Sequence, residues 1–536
     1  MAVWALAACR AGVRGARAEP LPISAGLAPV TFANTTRDPL TGVFQVALLP
    51  DPSRARQAVI DPKRRTPEAA QLRALHRQGR ASGLANVVYD NRDRGHSALR
   101  PTDFPQISRS DYAPPFVAEG LDYGEAGWIR FSLPVIGNSS TARTKGPLPR
   151  SMGRIALAGQ GAAMRSFGLY AANHLYVYPE HRDHDPLRGD LLFANTPLFV
   201  LSQGSSGSDR PFLDAFALCL SALPPETTAR LQAAGLLAPT AQMILRRTLA
   251  GVDDAAAYLS PLAHPPVFDA ARLQLAALVD RSSRLEPDAI PPMVRLAVRS
   301  DFDGRPGWDY LDENLGEALF TTPAAVARAW RSYAPTRRIT LDAGGTVDPN
   351  VRPLRFHWVI LQGDPARIRI MPRDPAGAVA EIEIDWHVPP PGPSGLASSR
   401  IDLAVFADNG AELSAPSTMS VLLPLFQNRV YAADRAGQMR LVSLDYRFDE
   451  DDPQPDRSIW ATGRWQDTLV YDDLGVLAGY DRTGDGPSQR LRFGLDGLRV
   501  AGDPAGPRLS HRAEPGEDLA LVYVIDQGRG VGSGLQ

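Results

Sequence analysis

Cysteine is nearly missing: Cys9 and Cys219 are the only two in 536 residues. That excludes a disulfide framework and a zinc site built on thiolates. Long apolar runs are missing too, and none reaches the length a membrane-spanning helix needs. Net charge is close to zero, since 57 basic and 59 acidic residues leave a formal charge of -2. Such a surface offers no electrostatic footprint for nucleic acid or an anionic membrane. The chain shows no internal repeat. What it has in quantity is glycine (46) and proline (48), which imply many turns rather than long helices. Its length exceeds what one core supports, so about three domains are expected.

The start of the chain carries an apolar run, Ala2 to Ala8, and a small-x-small triplet, Ala16-Arg17-Ala18, before Glu19. Read together they predict a leader over residues 1–18 and hence export. Leu6-Ala7-Ala8-Cys9 also resembles a bacterial lipoprotein box, which implies lipidation of Cys9. A periplasmic, lipid-anchored or secreted protein is the expectation.

The stretch from Asn173 to Leu223 concentrates the most chemistry. A loop rich in His and Asp leads into the apolar run Leu198 to Leu201, then Gly204-Ser-Ser-Gly-Ser-Asp209, then a helix. Phe212, Ala215, Phe216, Cys219, Leu220 and Leu223 recur at helical spacing and form one buried stripe. Ser208 or Asp209 is the expected N-cap. Cys219 lies on that stripe and reads as a small buried hydrophobe.

Further strands are predicted over 42–49 and 86–90, and helices over 67–78, 154–173, 225–234, 240–249 and 269–279. Residues 100–150, rich in proline, glycine and serine, read as mostly loop, with Trp128 to Leu133 as their one good strand. Mixed strands and helices make residues 19–332 an α/β or α+β domain. Beyond Tyr333 short strands alternate with turns, which predicts a β-sandwich over 333–425, and residues 426–536 read as a small all-β domain.

Leu341-Asp-Ala-Gly-Gly-Thr-Val-Asp-Pro-Asn350, Phe356-His-Trp358 and Val405-Phe-Ala-Asp-Asn-Gly410 resemble a PKD-like or related immunoglobulin-like module. The resemblance implies that Asp-Pro-Asn turns between two strands, that Trp358 fills the core and that Asp-Asn-Gly marks a hairpin. It also implies a spacer or binding unit of an exported protein, able to fold alone over about residues 335–425.

Three groups of residues can carry chemistry. Glu180-His-Arg-Asp-His-Asp185 offers His181, His184, Asp183 and Asp185 to a divalent metal ion, with an open position for water. Arg182 supports the opposite reading, a plain ion-pair network. Gly204 to Asp209 can cradle an anion, or present Ser205 or Ser206 as a nucleophile activated by His184 or His264, although the loop lacks the P-loop lysine and the GxSxG elbow. A strand-to-helix turn explains the same residues without a ligand. Asp90, Asp93 and His96 follow a strand and suit a general base or further metal ligands; local turns and salt bridges to Arg92 and Arg94 suit them as well. The leading expectation is an exported hydrolase, metal-assisted through that divalent ion, with Ser205, His184, Asp93 and His96 as catalytic candidates in one cleft. The competing one is a non-catalytic surface or secreted binding protein whose partner is an extracellular polymer or a small anionic ligand.

Overall fold

The computed structural model describes residues 18–124, 126–139, 159–180, 184–185, 189–190, 194–205, 207–305, 307–310, 316–390, 400–424, 427–447, 464–492, 508–513 and 521–526. The expected leader, with Cys9, lies outside the described residues apart from Ala18.

At the centre of the first part stand six short strands: β1 (Leu27–Val30), β2 (Val88–Asn91), β3 (Ser108–Tyr112), β4 (Val135–Asn138), β5 (His174–Pro179) and β6 (Val200–Ser202). They form an all-parallel sheet in the order β6-β5-β4-β2-β3-β1. Parallel strands lie between covering layers, so they bury both faces, and β4 and β5 are buried at every position. The covering helices are α1 (Pro67–Arg77), α2 (Gln160–Tyr170), α3 (Arg210–Ala222), α4 (Pro225–Ala234), α5 (Leu237–Arg247) and α6 (Leu275–Ser283). α3 packs on β4, β5, α1, α5 and α6. Its stripe is buried throughout, and the Cys219 thiol, pushed up to about 12 by burial, receives the Ser282 hydroxyl at 3.4 Å. α4 ends at Gly235, whose φ of 67° sets the turn that lets Leu236 N–H reach Leu231 O at 2.8 Å. A Cβ there would lie 2.6 Å from the Ala171 carbonyl oxygen.

Residues 100–150 depart from expectation, because β3 and β4 fall within them and both belong to the central sheet. β3 reads Ser-Arg-Ser-Asp-Tyr and β4 Val-Ile-Gly-Asn. Neither shows an apolar alternation, since strands this short are held by neighbours on both sides rather than by a period of their own.

Two packed sheets follow. One has the order β7-β10-β13-β12, from β7 (Ala297–Ser300), β10 (Thr336–Asp342), β12 (Ile368–Pro372) and β13 (Val379–Asp385). The other has the order β8-β9-β15-β14-β11, from β8 (Ala318–Thr321), β9 (Ala325–Ala329), β11 (Arg355–Gln362), β14 (Arg400–Asp408) and β15 (Ser417–Leu422). Ile339, Leu341, Ile382 and Ile384 of the first meet Leu403, Val405, Met419 and Val421 of the second in one core. β13 alternates cleanly: Ala380, Ile382 and Ile384 point inward, while Glu381, Glu383 and Asp385 point out to Arg373, Arg338 and Arg369.

The tryptophan at the centre is Trp330, fully buried, not Trp358, which sits half-buried at the margin and donates its Nε1–H to Gly377 O at 2.7 Å. Strands β7, β8 and β9 all precede residue 333, so that expected boundary cuts through the pair of sheets. The five-stranded sheet is also covered on its second face: Phe320, Ala327, Ala404 and Phe406 belong to the same core as the parallel sheet and its helices. Tyr258 ties the two layers, donating to Ser414 O at 2.8 Å, and α2 meets β8 through paired bonds between Gln160 and the Thr321 backbone.

Residues 427–492 make an antiparallel meander, β16 (Gln427–Ala433), β17 (Met439–Arg447), β18 (Arg464–Tyr471), β19 (Leu477–Gly484) and β20 (Gln489–Arg492). Its small core is Leu441, Leu444, Tyr446, Leu469, Leu477, Tyr480 and Leu491. Arg429 fastens it to the sandwich, stacking 3.7 Å over Trp386 and donating to Ser332 O at 2.6 Å. Residues 508–513 and 521–526 pair as a further antiparallel ladder.

A fragment of residues 335–425 lacks β7, β8, β9 and Trp330 and bares the second face of β14 and β15. It is expected to show no cooperative urea transition by circular dichroism. A sharp two-state transition would restore the independently folding module.

Candidate functional site

In open parallel sheets the usable crevice lies beyond the carboxyl ends of the strands where strand order reverses. Here the chain runs from β2 outward to β3 and returns on the other side of β2 as β4. The reversal therefore falls between β2 and β4, which deliver Asp90, Asn91 and Asp93 on one side and Asn138 and Ser139 on the other.

Asp90 is completely buried and completely satisfied. Its Oδ1 accepts from Ser110 Oγ (2.7 Å) and Tyr112 OH (2.8 Å), its Oδ2 accepts from Tyr176 OH (2.7 Å), and Arg92 Nη1 stands 3.7 Å from Oδ2. Burial, then the Asp90 charge, hold both tyrosine hydroxyls well above their ordinary pKa, so they stay donors. Gly137 makes this possible, because a Cβ there would lie 2.2 Å from Tyr176 Cε1. Asp90 is thus a structural hub.

Asp93 is buried too, but differently surrounded. Its Oδ1 accepts from Gly95 N–H (2.9 Å), and its Oδ2 from Ser97 N–H (2.9 Å) and Asn138 Nδ2 (3.1 Å). Arg94 and Gly95, at φ of 56° and 83°, shape the turn that aims these groups inward. The same Asn138 amide nitrogen lies 2.6 Å from Asp209 Oδ2, while Asn138 Oδ1 accepts from Tyr89 OH at 2.8 Å. Asp209 is fully buried, and its Oδ1 has no hydrogen-bond partner. Two buried carboxylates therefore share one amide with no cation paired to either among the described residues. Burial raises the Asp93 pKa, its two N–H donors oppose that, and the Asp209 charge raises it further.

Asp209 was expected to cap α3. It holds the cap position with helical φ and ψ of -73° and -28°, yet its side chain makes no capping bond. The carboxylate is turned to Asn138 instead. Around it, Ser202 and Ser208 share a hydroxyl bond of 2.8 Å, and Glu180 Oε1 accepts from Gly204 N–H at 3.1 Å.

Of the other sequence candidates, His96 is exposed, its Nδ1 2.7 Å from the Asp93 carbonyl, and Ser205 is exposed in the loop leading to Asp209. His264 does not serve Ser205: it is buried against Tyr258 and Phe406, with Nε2 2.6 Å from Tyr258 O. His184 and Asp185 form a two-residue strand paired with Gly189 and Asp190. His181, Asp183 and Ser206 lie outside the described residues. No group of three metal-ligating side chains occurs among the described residues. Asp93 stands out in the sequence, whereas Asn138 and the role of Asp209 do not. A polar residue closing a wholly apolar strand, as Asn138 does after Val135 and Ile136, was the available signal.

No known family model matches the chain, and no curated protein matches it either. One solved structure that aligns with it is a nucleoside hydrolase-related hypothetical protein from Saccharophagus degradans associated with carbohydrate metabolism. It is 10% identical and aligns over 62% of this chain and 78% of its own, with a TM-score of 0.20. A likeness that weak carries no argument about fold or chemistry.

Replacing Asp90 by Ala strands the buried Arg92 and three hydroxyls, so a loss of about 3–5 kcal/mol in urea unfolding is expected. A loss below about 1 kcal/mol would mean the hub is dispensable. Asp93 makes stability depend on pH. Its folded pKa lies above the ordinary value, so its contribution to stability is full at acid pH and falls as pH rises through the folded pKa. Asp209→Asn removes the neighbouring charge. Carbon-detected NMR titration should find the Asp93 pKa lower in that variant, and an unchanged value would show that the two carboxylates do not interact.

Proposed function

We propose that the chain is a hydrolase whose reaction centre is the Asp93, Asn138 and Asp209 constellation at the carboxyl edge of the parallel sheet. The observation that carries this is the unpartnered Oδ1 of the buried Asp209, beside a second buried carboxylate. Nothing in packing explains such a pair, and leaving it uncompensated costs stability that an apolar or amide substitute would return. Asn138 anchors both side chains. Asp93 has its oxygens filled by N–H donors, which leaves Asp209 Oδ1 as the acceptor able to take a proton from an attacking water. Oxygen donors of this kind suit a hard divalent cation such as calcium or magnesium better than zinc, and a cation there would lower the pKa of a bound water. Asp209 alone does not fill such a coordination shell. The Glu180 to Asp185 segment begins at the carboxyl end of β5, so His181, Asp183, His184 and Asp185 are proposed as the source of further ligands.

The sandwich and the meander act in this reading as accessory units that present substrate, in keeping with the resemblance to PKD-like modules of exported proteins. No helix among the described residues is long and apolar enough to cross a membrane.

The test is a screen of chromogenic glycosides, esters and phosphate esters, run with calcium, with magnesium and with chelator. Asp209→Asn should lose about 100-fold or more of any activity found while melting no lower than wild type in chelator. An active Asp209→Asn variant would remove Asp209 from the chemistry. Failure of either cation to raise the melting temperature of the wild type would remove the metal.

A further inference from the structure

A second uncompensated charge lies on α5, against Phe268. Arg246, on α5, is 1% exposed and forms no ion pair with a carboxylate among the described residues. Its Nε has no hydrogen-bond partner, and Nη1 makes only a long contact, 3.5 Å, with His264 Nδ1. The guanidinium stacks 4.7 Å over Phe268, and Tyr170 and Tyr258 complete its electrostatic surroundings. None of these groups supplies negative charge. His264 Nε2 bonds Tyr258 O at 2.6 Å, so Nδ1 is the lone-pair nitrogen of a neutral ring, and burial keeps that ring far below its ordinary pKa. Burial also holds Tyr170 and Tyr258 above theirs, which leaves both phenols protonated. Glu412, the carboxylate nearby that acts on Arg247 and Tyr258, is bonded to Arg281 at 2.6 Å.

One turn before Arg246 on the same helix, Gln242 is fully buried, and neither its Oε1 nor its Nε2 has a partner. Residues four apart share a helix face. The protein interior thus sets an unbonded guanidinium N–H and an unbonded carboxamide on one buried face, beside a neutral imidazole and aromatic rings. A cation so placed is costly unless countered, and the quadrupole of Phe268 offsets only part of that. Water would satisfy the N–H groups and leave the charge.

We propose that Arg246 and Gln242 form an internal site for a small monovalent anion of the halide class. The anion accepts from Arg246 Nε–H and Gln242 Nε2–H and neutralises the guanidinium. Because Tyr258 bonds the Ser414 carbonyl and the Tyr258 and His264 rings pack on Phe406, the site stands at the joint between the helical layer and the five-stranded sheet. Anion binding therefore strengthens that joint, and it does so independently of the carboxylate site proposed above.

The probe is bromide, with chloride beside it and fluoride as the strongly hydrated control, all at one ionic strength. Wild-type melting temperature should rise with bromide or chloride and saturate, the folding constant gaining about 100-fold at a hundredfold excess over Kd. Crystals grown in bromide should show one anomalous peak between the Arg246 and Gln242 side chains. Arg246→Met should lose the halide dependence. Three results would overturn the site: a water without anomalous signal between those side chains, a halide dependence unchanged in Arg246→Met, or equal effects of fluoride and bromide on the wild type. If Arg246→Met does not fold, Gln242→Leu and the wild-type bromide map decide, and a variant that keeps the full dependence without a peak ends the proposal.

Discussion

Charge taken out of water must be answered inside the protein, and the way this chain answers it organises both its architecture and its chemistry. Asp90 shows the complete answer, with three hydroxyls and a guanidinium around one carboxylate. That closure holds β2, β3 and β5 in register at the carboxyl edge, since Ser110 and Tyr112 come from β3 and Tyr176 from β5. The same closure recurs where the sandwich begins: Arg337 bridges Asp301 (2.8 Å) and Glu317 (2.6 Å), and Arg328 bonds Asp301 again at 2.5 Å. Asp93 and Asp209 lack it, and so does Arg246. Because its neighbours show how thoroughly this fold can satisfy a buried ion, each unanswered one is informative.

Arginine is the means. Lys63 and Lys145 are the only lysines, so nearly every cation in the chain is a guanidinium. A planar fork can bond two carboxylates and stack on a ring at once, which an ammonium cannot. Arg429 stacks on Trp386 while bonding Ser332 O, and Arg482 stacks on Trp465 while bonding both oxygens of Asp467 at 2.7 Å. The small meander has few apolar residues of its own; Arg482 extends its internal packing, and Arg429 carries that packing onto the sandwich.

Much of the fold was legible where a periodic face exists. The α3 stripe, the helices α1, α4 and α5 and the strands β10, β13 and β14 follow from apolar spacing, because one covered face leaves a period in the sequence. β3 and β4 were not legible, since β4, shielded on both sides, needs no alternation, and β3, polar at four of its five positions, carries no apolar face to read. The boundary at 333 misled for a related reason. Ala325 to Ala329 is buried at all five positions, and a short alanine-rich strand between two cores looks like neither a sandwich strand nor a linker. Trp358 drew attention as an aromatic in a strand, whereas Trp330 stands just beyond the end of β9 and looks unplaced until β15 is laid beside that strand.

The site was half legible, and the missing half is a matter of distance along the chain. Asp93 announces itself as a carboxylate after an apolar strand. Its meaning depends on Asn138, 45 residues on, and on Asp209, 71 residues beyond that. Local sequence offered Asp209 an adequate role as a helix cap, and only the parallel pairing of β2 with β4 shows why it is not used that way. Side chains at the carboxyl ends of neighbouring parallel strands converge whatever their separation in sequence, so the strand order decides which carboxylates meet. A residue whose local role is available but declined, with its polar atom left buried, is therefore a stronger pointer to function than a cluster of reactive residues close in sequence. Glu180 to Asp185 is such a cluster, and Asp209 is such a residue.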